Sequence, residues 1–307
     1  MTERLADIDA RIRGVRQLGA VVNAMRGIAA ARAQQARNQL AAVDAHAQAL
    51  AIGIGRALDL VAPDVTDEPA RAARPALLVF VAEQGFAGAF SERVLDAARH
   101  GAARTSTGTS TSTSSSPTAA ELFLVGTRGA AIAAARGIAI AWQGAAPSHA
   151  NGIPALAERI AQALYARIAT GDIDQLDVVF SEWRPGHGVR VETRRLFPVD
   201  ADLFPQPPRN SDKPLVNLPP TALVASLSED YLHAQLCHAA LHAFAAENEA
   251  RMEAMAAARS QIERQLDTMQ STQRMVRQAE ITAEIIELAA GEQAGSGSAQ
   301  DAGRASA

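Results

Sequence analysis

A seven-residue repeat runs almost unbroken from Leu5 to Ile54. One row is Ile8, Val15, Val22, Ala29, Ala36, Val43, Leu50; the other is Leu5, Ile12, Gly19, Arg26, Ala33, Leu40, Ala47, Ile54. Two such rows form the seam of a coiled coil, because 3.5 residues per turn keeps both facing one partner. The same spacing returns at the other end in Met255, Ile262, Met269, Val276 and Ala283, with Leu266 beside them. The two ends are therefore expected to pair, as a rod carrying whatever the middle folds into. The first proline is Pro63, so residues 1–62 read as one helix, roughly 85 Å long. From Thr221 to Ala290 there is neither proline nor glycine, which predicts a second helix of about 105 Å over 221–290. Helices this long need a packed face rather than propensity alone. The small seam residues Ala29, Ala33 and Ala36, with Ala254, Ala257 and Ala258, permit close approach but bury little area each.

Between the helices the pattern changes. Ala76–Ala82 is a continuous apolar run suited to a buried parallel strand. Glu83–Gly88 reads as a turn, 91–99 as a helix, 121–126 as a second strand, and 129–136 as a helix. A further helix over 154–169, a strand at 177–182 and a fourth strand at 188–197 complete an open, Rossmann-like α/β domain over 75–200. Within it, 101–118 is nearly all Ser, Thr and Gly and reads as a flexible surface loop. Residues 201–220 hold six prolines and form a linker, and 291–307 read as a disordered Gly/Ser/Ala/Gln tail. The fold class is α/β, with a long antiparallel coiled coil of the N- and C-terminal helices.

A hydrophobic content of 48% allows a core, but 4% aromatics suits thin, alanine-packed helices. The net charge of −4 gives no general attraction to nucleic acid. Cys237 is the only cysteine, which precludes an intrachain disulfide and favours a reducing compartment. The charged, amphipathic opening is unlike a signal peptide, and no apolar run is long enough to span a membrane.

The candidate chemical motifs mostly dissolve. His233 and Cys237 share one helix face, His238 and His242 another, so the four do not converge on one ion and no metal site is expected. Gly85 and Gly88 follow a strand without a full Gly-x-Gly-x-x-Gly, and no Gly-Lys-Ser/Thr occurs, so a structural turn is expected rather than a nucleotide site. No catalytic constellation and no cofactor site emerge. The N-terminal arginines, interleaved with the seam, read as a solvated or partner-facing surface. Arg26, inside the seam, suits either a partner contact or a snorkelling side chain.

Specific motifs nevertheless carry a resemblance. Ile12–Arg16 and Ala24–Arg32 open the chain with a basic heptad pattern and an Ala-Met pair; Ala246–Glu247, Ala250–Met255 and Arg277–Ile285 (Arg-Gln-Ala-Glu-Ile-Thr-Ala-Glu-Ile) close it. Glu83–Phe90, Leu122–Gly126 and Arg128–Gly129 lie between them. In that order they resemble the gamma subunit, the central rotor stalk, of F-type ATP synthases over nearly the full length. Departures lie at Gln17–Ala20 and Asn23, where the family has a polar Asn-Thr-Gln-Lys stretch and a lysine, and at Leu227–Tyr231, where it has Leu-Pro-Arg-Tyr. They suggest a divergent, alternative-operon type.

The resemblance implies a non-catalytic subunit of a rotary proton- or sodium-transporting enzyme, peripheral on the cytoplasmic face of a bacterial inner membrane. Its implied partners are the alpha and beta subunits of the catalytic ring, the epsilon subunit and the membrane c-ring, with no nucleic acid and no direct membrane insertion. Implied ring contacts are Met25, Arg251, Arg277, Gln278, Ile281, Thr282 and Glu284. Arg277 and Gln278 match positions that engage a loop of beta; Arg251 matches one near Met25 that meets the other helix and beta. A structural coiled-coil adaptor with an α/β head is the alternative, and a nucleotide-dependent α/β enzyme with helical arms a third reading.

Overall fold

The computed structural model describes residues 2–61, 74–107, 120–184, 186–206 and 214–304. Helix α1 is Thr2–Leu58 and helix α5 is Pro220–Arg304. Between them come β1 (Pro75–Phe80), α2 (Phe90–Thr107), β2 (Glu121–Val125), α3 (Thr127–Ala135), β3 (Trp142–Gly144), α4 (Ile153–Ala169), β4 (Gln175–Arg184) and β5 (Gly188–Phe197). The fold is mixed α/β, with two long terminal helices around a central sheet. The chain divides into two compact units, Met1–Arg26 with Met255–Ala307, and Gly27–Ala254.

In the first unit, α1 and α5 pack around Val22, Met255 and Ile262, supported by Val15, Met25, Ala258 and Leu266. The helices run antiparallel. A step of ten along α1, from Asp9 to Gly19, takes the neighbour back eleven along α5, from Gln273 to Ile262. Gly19 has no side chain, and Ile262 fills the space, with Cγ2 3.4 Å from where a Cβ would sit.

In the second unit the sheet order is β3-β2-β1-β4-β5, parallel except for the antiparallel β4–β5 pair. The apolar strands are buried on both faces. Leu78, Phe80, Phe123, Val178 and Phe180 pack with α4 residues such as Leu156 and Ile160 and with Leu236 and Leu241 of α5. Val79, Val81, Leu124 and Val179 face Phe90, Val94 and Leu95 of α2, Ala130 and Ala133 of α3, and Ala246 and Ala250 of α5. Within this unit α1 again runs antiparallel to α5: Arg37 meets Glu249, Asp44 meets His238, and Gly53 lies against Leu227.

Both heptad rows of α1 are buried or half-buried at every position except Arg26, which is exposed.

Several details differ from the sequence reading. Strand β3 was not foreseen; Trp-Gln-Gly has no apolar run, and its place is set by parallel pairing with Phe123–Val125. Helix α2 continues to Thr107, into the stretch read as a loop, because Ala102, Ala103 and Arg104 are good helix formers; residues 108–118 of that stretch lie outside the described residues. Part of the 201–220 stretch, 207–213, is likewise outside them. The backbone of α5 is helical to Arg304 rather than ending near 290. Extending an existing helix fixes one residue per hydrogen bond, so the interspersed Ala, Gln and Glu suffice despite about 1 kcal/mol lost per glycine.

Candidate partner-contact surfaces

The residues expected to touch partners fall into two environments. Arg277, Gln278, Ile281, Thr282 and Glu284 are all exposed. Thr282 returns its hydroxyl to the Gln278 carbonyl at 2.8 Å, leaving the Gln278 side chain and the Arg277 guanidinium outward. Arg277 makes no ion pair among the described residues. Around them stand Met275 (62% exposed), Ile281 (50%), Ile285 (60%), Ile286 (64%) and Leu288 (73%). Ile281, Ile285 and Leu288 recur at i, i+4, i+7 and so line one helix face, while Val276 and Ala283 on the seam row are half-buried. A stripe of large apolar side chains left in water beside an already packed seam marks a surface built to be covered. Met25 is half-buried in the Val22–Met255–Ile262 cluster, with Leu18 and Val21 exposed on the same helix.

Arg251 is different. It is 5% exposed, and its guanidinium is spent inside the second unit. It pairs with Glu247 and donates to Asn248 Oδ1 at 2.9 Å and to the Gly85 carbonyl at 3.1 Å. In the chain by itself Arg251 is therefore turned inward, with its guanidinium engaged by Glu247, Asn248 and the 84–85 carbonyls.

The same region bears on the nucleotide reading. In an open α/β sheet, anions bind at the carboxyl ends of the strands on free backbone N–H groups. Here four of those groups already have carboxylate acceptors within the chain. Glu247 takes the N–H of Glu83 (3.2 Å) and of Gln84 (3.1 Å). Glu83 takes the N–H of Thr127 at the start of α3 (3.0 Å) and of Ala146 beyond β3 (2.8 Å). Gly126 has φ 121°, and an added Cβ there would meet the Val81 carbonyl oxygen at 2.4 Å, so the β2–α3 turn lies hard against β1. Glu83 and Glu247 thus take up N–H groups that an anion would otherwise compete for.

The histidines likewise serve packing. His233 contacts the Pro154 carbonyl at 3.2 Å and Cys237 Sγ at 3.9 Å. His238 and His242 approach Nε2 to Nε2 at 3.2 Å, and His238 lies 3.3 Å from Asp44. Burial pushes both imidazoles down to about 4; Arg194 adds to this for both and His238 for His242, against the pull of Glu182. Desolvation outweighs Asp44, which is itself 55% exposed and screened. Burial pushes the Cys237 thiol up to about 11. Among the described residues no group of three His, Cys, Asp or Glu could hold a metal ion, and no helix is long and apolar enough to cross a membrane.

Sequence reasoning missed the polar knot itself. Glu247, Asn248, Glu249 and Arg251 are all under 9% exposed, four buried polar residues in an otherwise alanine-rich stretch. The i, i+4 spacing of Glu247 and Arg251 was a visible signal; the partner of Glu249, Arg37, lies 212 residues away and had none.

These features define a class: a protein of two long paired helices and an α/β sheet, with a stripe of apolar side chains presented outward. A family profile described as ATP synthase (ATP-synt) matches residues 4–294. The ATP synthase gamma chain of Frankia casuarinae is 28% identical over 305 residues, covering 95% of this chain and 97% of that one. That of Acidothermus cellulolyticus is 29% identical, covering 92% and 93%. Among solved structures, a chain from the Euglena gracilis mitochondrial ATP synthase, OSCP/F1/c-ring, superposes with a TM-score of 0.61 at 12% identity, covering 96% and 95%. A chain from the Tetrahymena thermophila mitochondrial ATP synthase central stalk and c-ring gives 0.54 at 17%, covering 78% and 99%. The chain belongs to the ATP synthase family, among its gamma chains.

Proposed function

We propose that this chain is the central rotor stalk that couples ion-driven rotation of a membrane c-ring to ATP synthesis or hydrolysis at the beta subunits, without itself breaking a bond. The observation that carries this is the exposed Ile281–Ile285–Leu288 stripe with Arg277 and Gln278 beside it, at the end of a family match that spans the chain. A rotor can change the affinity of a site only by contacting its conformations unequally. Apolar side chains slide in an apolar sleeve with little directional penalty. The Arg277 guanidinium makes directional, charge-assisted hydrogen bonds and so marks a stop. Ile281, Thr282 and Glu284 belong to the same ring-facing surface, and Met25 to the α1 side of it. Alpha, beta and epsilon subunits and the c-ring are the partners, and the complex sits as a peripheral assembly on the cytoplasmic face of a bacterial inner membrane.

The test is co-purification. A tag inserted within residues 108–118, with gentle solubilisation of native membranes, is expected to recover alpha, beta, epsilon and c subunits together with ATP hydrolysis. Recovery of none of them from cells that express the protein well would leave a structural adaptor as the better account.

A further inference from the structure

Along its first half α5 meets the sheet through large side chains such as Leu236, Leu241 and Phe244, but at residues 246–250 it does so through small, featureless ones. Ala246 and Ala250 are 0% and 4% exposed and pack with Val79, Leu124 and Val179. Contacts of this kind hold surfaces together but resist rotation of one past the other poorly, because dispersion is non-directional. Beside those two alanines the chemistry reverses. Glu247 and Arg251, one turn apart, grip the peptides of residues 83–85 from both sides. Glu247 accepts their N–H groups; Arg251 donates through Nε to the Gly85 carbonyl and through Nη2 to the Gln84 carbonyl at 3.5 Å. The gripped segment is itself a node. Glu83 reaches the start of α3 and the residues beyond β3, and Ser91 of α2 accepts the Ala82 N–H at 3.1 Å. Helix α1 joins through Arg32, which donates to Gln84 Oε1 at 3.0 Å, and through the Arg37–Glu249 pair, with Arg37 stacked 5.1 Å over Trp183 at the end of β4. Phe86, next in the chain, sits at φ 64°, a backbone state that persists for a non-glycine residue only where its surroundings fix it.

Buried charges are a costly way to hold a fold together, and apolar residues of similar volume often serve stability as well or better. Where α5 faces the sheet with alanines, this knot supplies a directional hold on the azimuth of the helix that the small side chains beside it do not. We propose that Glu247 and Arg251 are positioning residues for energy coupling: they fix the rotational setting of α5 on the α/β sheet, so that torque enters the helix without slip at residues 247–251. This rests on the rotor reading above.

The experiment uses the whole membrane enzyme. Glu247→Gln and Arg251→Gln are compared with Leu236→Val, a cavity in the opposite-face core that leaves the knot intact. ATP-driven ion pumping is read against ATP hydrolysis in the same vesicles. Each charge-assisted hydrogen bond removed favours slipped settings by about tenfold or more. The knot variants are expected to keep assembly and hydrolysis while pumping per ATP falls; Leu236→Val is expected to lower both in proportion to the enzyme assembled. A wild-type ratio in assembled knot variants, or an equal fall in Leu236→Val, would overturn the proposal. Arg251→Lys, which keeps the charge and loses the fork, is the reserve if the Gln variants do not assemble. Its failure to assemble as well would show that the pair is needed for folding rather than coupling. Wild-type enzyme that hydrolyses ATP without pumping would instead count against the rotor reading itself.

Discussion

Three glycines of α1 in the second unit pose one chemical question in three settings. At Gly27 an added Cβ would meet nothing within 4 Å; at Gly53 it would lie 3.6 Å from Leu227 Cδ1; at Gly55 it would lie 2.1 Å from the Pro205 carbonyl oxygen. Replacing glycine by alanine inside a helix gains about 0.8–1.0 kcal/mol from backbone entropy. Gly27→Ala should show that gain alone, and Gly53→Ala the same plus a small contribution from contact with Leu227. Gly55→Ala must push a backbone carbonyl away by more than ~1 Å to reach ordinary contact, and overpacking of this kind costs about 1–3 kcal/mol. The expected net change there is between about 0 and 2 kcal/mol of destabilisation. The assay is urea unfolding of the full chain followed by tryptophan emission, because Trp142 and Trp183 both lie in the second unit. The order of midpoints should be Gly53→Ala and Gly27→Ala above wild type, and Gly55→Ala at or below it. A Gly55→Ala midpoint raised like the other two would refute the close packing of α1 against Pro205.

Two further outcomes follow from the same structure. The double change Arg277→Ala with Gln278→Ala should impair coupled ATP synthesis while assembly is largely kept, since both side chains are exposed and hold no partner among the described residues; unchanged synthesis in an assembled complex would remove them as ring contacts. His238 and His242 should make the second unit acid-sensitive. Their folded values near 4 lie below the ordinary 6.5, so the unfolded chain takes up protons first. Their contribution is present above pH 6.5 and is lost as pH falls toward 4. Melting temperature measured across that window should fall less steeply in His238→Gln/His242→Gln, and an unaltered slope would contradict neutral burial of the pair.

What the sequence made legible followed from periodicity. The seven-residue rows needed only spacing to place Val22, Ala33 and Ile54 in contact with a partner, and all three are buried. Apolar runs such as Leu77–Val81 needed only length and flanking turns to read as central strands. Strand β3 escaped because three residues carry no period, and its existence depends on a neighbour already in place. The Arg37–Glu249 pair escaped because its partners meet only after both long helices have folded. The intrachain neighbours of Arg251 escaped too: an arginine in a family pattern names a position, and only the fold shows that Gly85 and Glu247 stand in front of it. The exposed stripe at Ile281–Leu288 was visible as apolar residues among acids, yet its exposure could be known only once the seam row beside it was seen to be satisfied.

The central claim is that this chain turns inside a catalytic ring, and rotation itself is the direct measurement. With alpha and beta subunits fixed to glass and a gold particle attached through a cysteine introduced at exposed Arg190, added ATP should drive stepwise rotation in one direction, while wild-type Cys237, buried, takes no label. A ring that assembles with this chain and hydrolyses ATP while the particle stays still would contradict the account.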